Sequence, residues 1–289
     1  MDWSERMNSA INYIEENLTG EVDLARAAEK AACSTFHFQR MFFAINGLTP
    51  AEYARRRRLT LAAMELAADN AKVIDVAMKY GYESPNAFTR AFRNLHGVTP
   101  LAARQSGVTL TAFPRISFHI VLKGGNDMDY KILKKPAFTV AGRIRRFTTD
   151  VEQNMVQIGE WCVEFMNSAE RQKLVGLVKN QPGAVTGGGM LGICLKVEQE
   201  EEWSYAIVVE LPEGTSPSPF GTLEVPAATY AVFETTLDDI SKCWRQIFAE
   251  WFPSTGYEHS GAPELEVYPP GDDMNPDSKM EIWVPVVKK

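Results

Sequence analysis

The stretch "RMFFAINGLTPAEYARRRR" at residues 40–58 returns fifty positions later as "RAFRNLHGVTPLAARQS" at residues 90–106. When the comparison is extended upstream at the same offset, residues 24–56 align with residues 74–106 without a gap. Phenylalanines, glycines and Thr-Pro pairs recur at matching places, so both the apolar positions and the residues that end elements are shared. A match of this kind predicts one small structural unit that the chain uses twice.

Each unit has the pattern of two helices joined by a tight turn. In the second unit, Ile74, Ala77 and Met78 predict one apolar face of a helix that ends near Gly81. Ser84 is expected to cap the next helix, because a Ser side chain can accept hydrogen bonds from the first free backbone amides. The apolar stripe of that helix comprises Phe88, Ala91, Phe92 and Leu95. The same pattern fifty residues earlier makes each unit a predicted helix-turn-helix.

A single long helix is predicted between the two units, over residues 49–70. Thr49 is its cap, Pro50 its first residue, and Glu52 the partner of Thr49 in a capping box. An amphipathic helix is also expected at the start of the chain, and its stripe comprises Met7, Ile11, Ile14 and Leu18. The long helix would hold the two units at a fixed separation, so that one monomer could reach two major-groove segments about 34 Å apart.

At these residues the chain resembles a known family. The phrases "STFHFQRMF" at 34–42 and "SPNAFTRAF" at 84–92, with "GLTP" and "GVTP" after them, are similar to the recognition helices of the AraC/XylS transcription activators. The resemblance covers residues 1–107 and is strongest to the seven-helix form of the MarA, SoxS and Rob proteins. It implies an all-α domain that binds double-stranded DNA, and an activator that contacts RNA polymerase.

The resemblance places base-reading side chains at matching positions of the two recognition helices. The residues so assigned are Phe36, Gln39 and Arg40 in the first helix and Asn86, Thr89, Arg90 and Arg93 in the second. Arg can fork onto a guanine edge, Gln can bind adenine, and Phe can contact a thymine methyl group. Phe36 could equally lie in the core. The phenylalanines expected in the core are Phe38, Phe42, Phe88 and Phe92.

A run of four arginines, Arg55–Arg58, lies on the predicted long helix. Four consecutive residues of a helix point in different directions, so they cannot all face DNA. One or two of them are expected to meet phosphate, and the others to form a solvated face.

Composition and charge divide the chain. Residues 1–112 carry 13 Lys and Arg against 12 Asp and Glu, whereas residues 126–289 carry 15 against 25. Halves of such different charge indicate two domains with different partners. The four cysteines are isolated and no Cys/His cluster has metal-ligand spacing, so no disulfide, metal or cofactor is expected. With no apolar run near the ~18 residues of a membrane span and no secretory signal, a cytoplasmic protein without a membrane partner is predicted.

The acidic half has the pattern of an α+β domain. Residues 108–126 are expected to form a linker and a first strand, because "RISFHIVLKGGNDMDYKI" from residue 115 alternates as strands do. The following sequence, residues 127–289, indicates strand, helix, strand and strand, and then the same order again. This pattern predicts an antiparallel sheet with two helices, set behind an all-α domain at residues 1–107.

This half resembles the GyrI-like effector-binding domains, through "LKGGNDMDYKI", "AFTVAGRIRRF" and the closing "MEIWVPV". The resemblance spans roughly residues 115–289. It implies a groove between the two halves that binds a small molecule, lined by aromatic side chains, with a glutamate that faces cationic ligands. In this chain that glutamate falls on Glu281. The effector-binding candidates are Glu281, Tyr205, Trp161, Trp203, Trp244 and Trp283. Trp251 and Tyr257 are further large aromatic residues of this half.

Two alternatives remain open for these candidates. Glu281 lies in an apolar strand, where a charge is costly without a partner, but alternation could instead place it on the solvent face of an edge strand. Each Trp could equally be a core residue.

The two resemblances together predict a transcription regulator of the multidrug-response kind, and an activator in particular. It would bind DNA as a monomer or weak dimer and respond to a small effector, with lipophilic cations as the expected class. One alternative is a small-molecule hydrolase with Glu281 as general base. No Ser-His-Asp or Cys-His set supports it, so no catalytic residue is assigned and the protein is not expected to be an enzyme. Another alternative is constitutive DNA binding without an effector.

Overall fold

The computed structural model describes residues 3–68, 71–105, 107–119, 128–147, 151–178, 182–196, 203–271 and 275–288, without the side chains of 151–156, 196 and 203. The chain divides into two compact units, with the division near residue 121. In the described part of the chain, no helix has both the length and the apolar character that a membrane span requires.

The N-terminal unit is all-helical, as the repeat predicts. Its helices are α1 (Trp3–Glu16), α2 (Leu24–Lys30), α3 (Thr35–Asn46), α4 (Pro50–Ala68), α5 (Val73–Lys79) and α6 (Pro85–His96), and a single 3₁₀ turn follows at Ala102–Arg104. The pairs α2–α3 and α5–α6 are the two helix-turn-helix units, and α4 is the long helix between them. The predicted stripe of the first helix is buried throughout, which anchors α1 in the core of this unit.

The turns inside the two units differ by one residue. In each, the chain reverses through a left-handed residue, Ala32 with φ +55° in the first unit and Gly81 with φ +81° in the second. The next amide, of Cys33 or Tyr82, then donates to the carbonyl five residues earlier, at 3.1 and 2.9 Å. The two left-handed residues are therefore 49 positions apart and not 50. In the first unit the left-handed residue is an alanine, for which this conformation is unfavourable.

The core face of α5 differs from the predicted one. Val76, Ala77 and Tyr80 are buried, whereas Ile74 and Met78 are 46% and 67% exposed. The prediction that Ala77 is buried is confirmed, and the prediction that Ile74 and Met78 lie on the same buried face is wrong. A helix of seven residues makes only two turns, so its apolar residues are compatible with more than one face, and packing against α4 and α6 decides between them.

The arginine run of α4 is bound within the N-terminal unit. The first two guanidiniums of Arg55–Arg58 pair with Glu52 at 2.6 and 2.5 Å. The third donates to both carboxylate oxygens of Glu15 on α1, at 2.8 and 2.9 Å. The fourth donates to two backbone oxygens that follow α1. Arg57 and Arg58 thus hold α4 against α1 and the residues that follow α1, whereas Arg55 and Arg56 are paired within α4 itself. Glu52 binds these two arginines although it was predicted to close a capping box.

Residues 108–119 contain neither helix nor strand, so the first strand predicted at 108–126 is wrong over its described part. The amide of Phe118 donates to Asn8 at 2.8 Å, and the Asn8 amide donates back to the Phe118 carbonyl at 2.7 Å. The amide of Ile116 donates to the Tyr53 hydroxyl at 3.2 Å. The alternating pattern suits any extended segment that buries some of its side chains, and here the partners are α1 and α4.

The C-terminal unit is α+β, as predicted. Its strands are β1 (Lys131–Lys135), β2 (Phe138–Phe147), β3 (Met190–Lys196), β4 (Trp203–Glu210), β5 (Gly221–Val225), β6 (Ala228–Thr236), β7 (Tyr257–His259), β8 (Glu264–Tyr268) and β9 (Lys279–Lys288). Its helices are α7 (Val151–Met166), α8 (Ala169–Leu177) and α9 (Ile240–Gln246), and α9 continues through a π-helical turn (Ile247–Trp251) into α10 (Phe252–Ser254).

The sheet has the symmetry of a duplicated motif. Its strand order is β1-β6-β9-β8-β3-β4-β2-β5, with β7 paired to β9, and every pairing is antiparallel. The order reads alike from either end about the central β8–β3 pair. One half is β2, α7 and α8, β3 and β4, and the other is β6, α9, β8 and β9, which confirms the predicted repetition of strand, helix, strand and strand.

Alternation along the strands gives the sheet two different faces. One face is an apolar core that includes Val140, Ile193, Val208, Leu265 and Trp283. The residues between these point to the other face, where side chains of α7 and α9 meet the sheet. The central strands therefore carry the functional residues of the second unit between the sheet and its helices.

Candidate DNA interface and effector site

The second recognition helix, α6, separates a buried face from an exposed one. The Ser84 hydroxyl caps it by accepting from the Ala87 amide at 3.1 Å, as predicted. Phe88 and Phe92 are fully buried. On the opposite side a shallow surface depression is lined by Asn86, Thr89, Arg90, Arg93, Asn94, Gly97 and Thr99. All four side chains predicted to read bases in α6 thus lie together on one surface, where their amide, hydroxyl and guanidinium groups suit base edges and phosphates.

The first recognition helix, α3, presents its polar side chains differently. Phe36 is half-buried, which fits neither alternative better than the other, while Gln39 and Arg40 are 7% and 8% exposed. The helix is held by core contacts of Phe38 and Phe42, whose rings lie 5.9 Å apart. Base reading by Phe36, Gln39 and Arg40 stays a prediction.

A buried carboxylate on β8 is the centre of the second site. Glu266 is 9% exposed. One of its oxygens accepts from the hydroxyls of Tyr205 and Tyr268, at 2.6 and 3.1 Å, and the other accepts from the indole nitrogen of Trp244, at 3.2 Å. All three donors are neutral groups. Within the described part of the chain, Glu266 forms no ion pair.

The strand register explains how these groups meet. Glu266 pairs directly with Gly192 of the neighbouring strand β3, and the Tyr205 side chain comes from β4 on the far side of β3. A Cβ atom on Gly192 would lie 1.9 Å from the Tyr205 hydroxyl oxygen and 3.0 Å from the carboxylate. The missing side chain of Gly192 is therefore the space through which tyrosine and carboxylate make contact.

The groups around Glu266 keep their protons. Burial first, and then the nearby Glu266 charge, raise the pKa of Tyr205 and of Tyr268 well above the usual value of a phenol. Burial, followed by Glu266 and Cys194, raises the pKa of the Cys162 thiol to about 12. These hydroxyl and thiol groups therefore remain neutral near neutral pH.

Aromatic rings extend from the carboxylate toward solvent. The Trp161 ring of α7 lies edge-on to Tyr205 with centroids 6.5 Å apart, and Phe147 lies 6.2 Å from Trp161. Trp161 and Tyr268 are both half-buried, so this end of the site is accessible. The guanidinium of Arg145 lies over the rings of Phe147 and Trp161, 5.5 and 5.9 Å from their centroids.

The structure brings three of the six predicted effector residues together, namely Tyr205, Trp161 and Trp244. Glu281 and Trp283 lie on the other face of the sheet, because Glu281 pairs with Val267 whereas Glu266 pairs with Ile282. There the Trp283 indole donates to Glu281 at 2.7 Å. The sixth residue, Trp203, begins β4, and its side chain lies outside the described part of the chain.

Glu266 and Tyr268 were missed from the sequence. The signal was present in "PELEVYPP", where two glutamates alternate with apolar residues in a strand that is otherwise a core strand. Such alternation is typical of a strand with one solvent-facing side, so by itself it does not indicate a site. Only the tertiary contacts of Glu266 with α9 and β4 distinguish a buried carboxylate from an exposed one.

An all-helical unit with two recognition helices, followed by a sheet unit with an acidic aromatic site, defines a DNA-binding transcription regulator with an effector-binding domain. Residues 131–286, more than half of the chain, match the family described as integron-associated effector binding protein (Cass2), and residues 27–106 match the helix-turn-helix domain family. The chain belongs to the Cass2 effector-binding family, and its N-terminal unit is of the AraC type, as predicted.

Three curated relatives match the N-terminal unit. The Transposon Tn10 TetD protein of Escherichia coli is 39% identical over 94 residues, which are 32% of this chain and 68% of TetD. The transcriptional activator AarP of Providencia stuartii is 37% identical over 103 residues, 36% of this chain and 76% of AarP. The multiple antibiotic resistance protein MarA of Escherichia coli is 32% identical over 102 residues, 35% of this chain and 80% of MarA. Of these relatives, AarP is named a transcriptional activator, which agrees with the class of protein predicted for this chain.

Two solved structures are similar to the C-terminal unit. SAV2435 bound to tetraphenylphosphonium is 21% identical, with a TM-score of 0.42, over 55% of this chain and 94% of that one. The integron cassette protein VCH_CASS2 of Vibrio cholerae is 16% identical, with a TM-score of 0.38, over 55% of this chain and 95% of that one.

Proposed function

We propose that this protein regulates transcription in response to a lipophilic cation that binds beside Glu266. The observation that supports the proposal is a buried carboxylate whose hydrogen-bond donors are all neutral, Tyr205, Tyr268 and Trp244. Three such bonds only partly offset the cost of removing a charge from water. A bound cation would supply the missing opposite charge, so the site favours cations over neutral molecules of the same shape.

The rings around the carboxylate favour a bulky, delocalised cation. The rings of Tyr205, Trp161 and Phe147 pack in a row that begins at Glu266, and Trp161 is the partly exposed ring of the three. Aromatic groups of a ligand can stack there, and the ring faces attract positive charge. Because the Glu266 oxygens already accept three hydrogen bonds, the ligand needs charge and apolar surface more than N–H donors.

The N-terminal unit would bind DNA through α6 and α3, with Asn86, Thr89, Arg90 and Arg93 as the readers of the second half-site. Two units in one chain allow a monomer to occupy two neighbouring major-groove segments, so a weak dimer at most is required. We further infer that the protein is an activator that contacts RNA polymerase, by analogy with the named activator AarP.

Isothermal titration with tetraphenylphosphonium, the molecule bound to SAV2435, tests the effector site. Glu266→Gln keeps the shape and the acceptor oxygen but removes the charge, and it should weaken binding by about ten-fold or more. The matched control is Glu281→Gln, a glutamate one strand away on the opposite face, which should bind within about two-fold of the wild type. Neutral triphenylphosphine oxide should bind more weakly than the cation to the wild type.

The opposite result, in which Glu281→Gln weakens the binding of tetraphenylphosphonium and Glu266→Gln does not, would contradict the proposal. It would show that Glu281, the residue predicted from the sequence, binds the cation. The regulatory link is tested by a DNA site selected from a random library. Its affinity for the full-length protein should change when tetraphenylphosphonium is added, and Glu266→Gln should abolish that change. If the DNA affinity of the wild type is the same with and without the cation, constitutive DNA binding would be favoured.

A further inference from the structure

Arg145 lies at the accessible end of the aromatic site, and we infer that it is a specificity-determining residue that binds an anionic group of the effector. The ligand class would then be an amphoteric aromatic compound, with its cationic end at Glu266 and a carboxylate or sulfonate at Arg145. This inference rests on the proposed function of the Glu266 site.

The strand register places Arg145 on the same face as the site. Arg145 of β2 pairs directly with Tyr205 of β4, and directly paired residues of antiparallel strands point to the same side of the sheet. Its guanidinium lies over Trp161 at 5.9 Å, Trp161 lies against Tyr205, and the Tyr205 hydroxyl binds Glu266 at 2.6 Å. Positive and negative charge thus lie at the two ends of one row of rings, on strands that are three inter-strand spacings, or about 14 Å, apart.

Arg145 forms no ion pair with another residue in the described part of the chain. Two residues earlier on the same face of β2, Arg143 forms an ion pair with Glu170 at 2.6 Å. Arg145 is exposed and has ring contacts with Phe147 and Trp161 but no carboxylate partner among the described residues. Stacking on rings limits the rotation of a guanidinium and leaves its N–H donors at the edge, where a planar carboxylate can accept two of them.

A matched pair of dyes separates the anionic contact from the cationic one. Rhodamine 110 carries a delocalised cation and a free carboxylate, and rhodamine 123 is its methyl ester, with the same cation and no negative charge. Fluorescence polarisation of each dye with the full-length protein at pH 8 gives both dissociation constants. The variants are Arg145→Gln, Glu266→Gln and, as a control, Arg146→Gln, an exposed arginine on the other face of β2 that removes the same charge.

In Arg145→Gln we expect the dissociation constant of the acid dye to rise about five-fold, the upper range for an exposed ion pair, and that of the ester to change less than about two-fold. Arg146→Gln should leave both dyes at wild-type affinity, and Glu266→Gln should weaken both. An equal change for acid and ester in Arg145→Gln, or an unchanged acid, would overturn the role of Arg145 while leaving the Glu266 site standing. If the wild type binds both dyes but Glu266→Gln weakens neither, the proposed function itself fails, and the role of Arg145 fails with it. If the wild type binds neither dye, the role of Arg145 is overturned, and the titration with tetraphenylphosphonium decides the proposed function separately.

Discussion

The hydroxyl of Tyr205 reaches Glu266 across an intervening strand, at 2.6 Å, although the two residues are 61 positions apart in the sequence. The contact exists because Gly192 of β3 lies between them without a side chain. The centre of the candidate effector site therefore depends on three strands of the sheet, two from the first half of the duplicated motif and one from the second. A ligand at this point would contact both halves.

Replacing Gly192 by alanine should damage the site through the tyrosine. The added Cβ would lie 1.9 Å from the Tyr205 hydroxyl oxygen, so the buried ring must move away from Glu266. We expect the affinity for tetraphenylphosphonium to fall about ten-fold and the free energy of unfolding to fall by about 1–3 kcal/mol, the usual cost of overpacking. Gly159→Ala on α7, where the added Cβ meets open space, is the control and should bind normally. Full affinity in Gly192→Ala would show that the contact between tyrosine and carboxylate is dispensable.

Stability should decline at alkaline pH because of the protonated groups around Glu266. The unfolded Cys162 thiol ionises near its ordinary value of 9.0, whereas burial raises the native pKa to about 12. Between pH 9 and 12 the Cys162 thiol is therefore protonated in the native state and ionised in the unfolded state. Its contribution to the free energy of unfolding is complete below pH 9 and is lost as the pH rises toward 12. Urea unfolding at pH 8, 9 and 10 should show the loss, at up to about 1.4 kcal/mol per pH unit for this thiol. In Cys162→Ala the decline should be shallower, and an identical slope in both proteins would contradict the assignment.

The sequence predicts the fold well where local signals repeat. The Ser84 cap, the buried phenylalanines of α6 and the α4 helix all follow from residues that lie within one or two turns of one another. The segment 107–119 was misassigned because an extended backbone has the same alternation whether it pairs with strands or lies along helices. The partner is decided by Asn8 and Tyr53, which are distant in the sequence.

The residues of the candidate effector site were predicted only in part for the same reason. Trp161 and Trp244 stand out as large aromatic residues in an acidic domain, and composition suffices to nominate them. The choice between Glu266 and Glu281 depends on which face of the sheet each side chain occupies, and strand register sets that face. A shift of one residue exchanges the two faces, so no local pattern distinguishes them.

The N-terminal unit should need residues 107–119 for full stability. Phe118 is buried beside Trp3 and Phe42, with ring centroids 5.7 and 6.2 Å apart. Burial of one such ring stabilises a protein by roughly 1.5–3 kcal/mol. A fragment of residues 1–119 should therefore melt at a higher temperature than the fragment 1–107 that the sequence suggested, as measured by circular dichroism. Phe118→Ala in the longer fragment should remove much of the difference, and equal melting temperatures for the two fragments would place the boundary at 107.

Ala32 offers a stabilising substitution. Its φ of +55° is unfavourable for any residue with a Cβ, and the corresponding position of the second unit is Gly81. Ala32→Gly should raise the free energy of unfolding by about 0.5–1 kcal/mol, the left-handed strain being larger than the added entropy of glycine in the unfolded chain. Gly81→Ala should lower it by a similar amount. Both are measured by urea unfolding of the full chain, and a destabilised Ala32→Gly would mean that this turn does not adopt the left-handed conformation.

Arg90 should contribute to DNA affinity without contributing to stability. It is exposed on α6, beside Asn86, Thr89 and Arg93 in the surface depression opposite the buried phenylalanines. On a site selected from a random library, Arg90→Ala should cost about 1–3 kcal/mol of binding and relax the preference at one base pair, as expected for a guanidinium on a base edge. Lys173→Ala, which removes an exposed positive charge from α8, is the control for net charge and should leave binding unchanged. Arg40→Ala tests the matching position of α3, where the buried side chain makes a change in melting temperature informative as well. If Arg90→Ala binds the selected DNA site as tightly as the wild type does, α6 does not enter the major groove with this face.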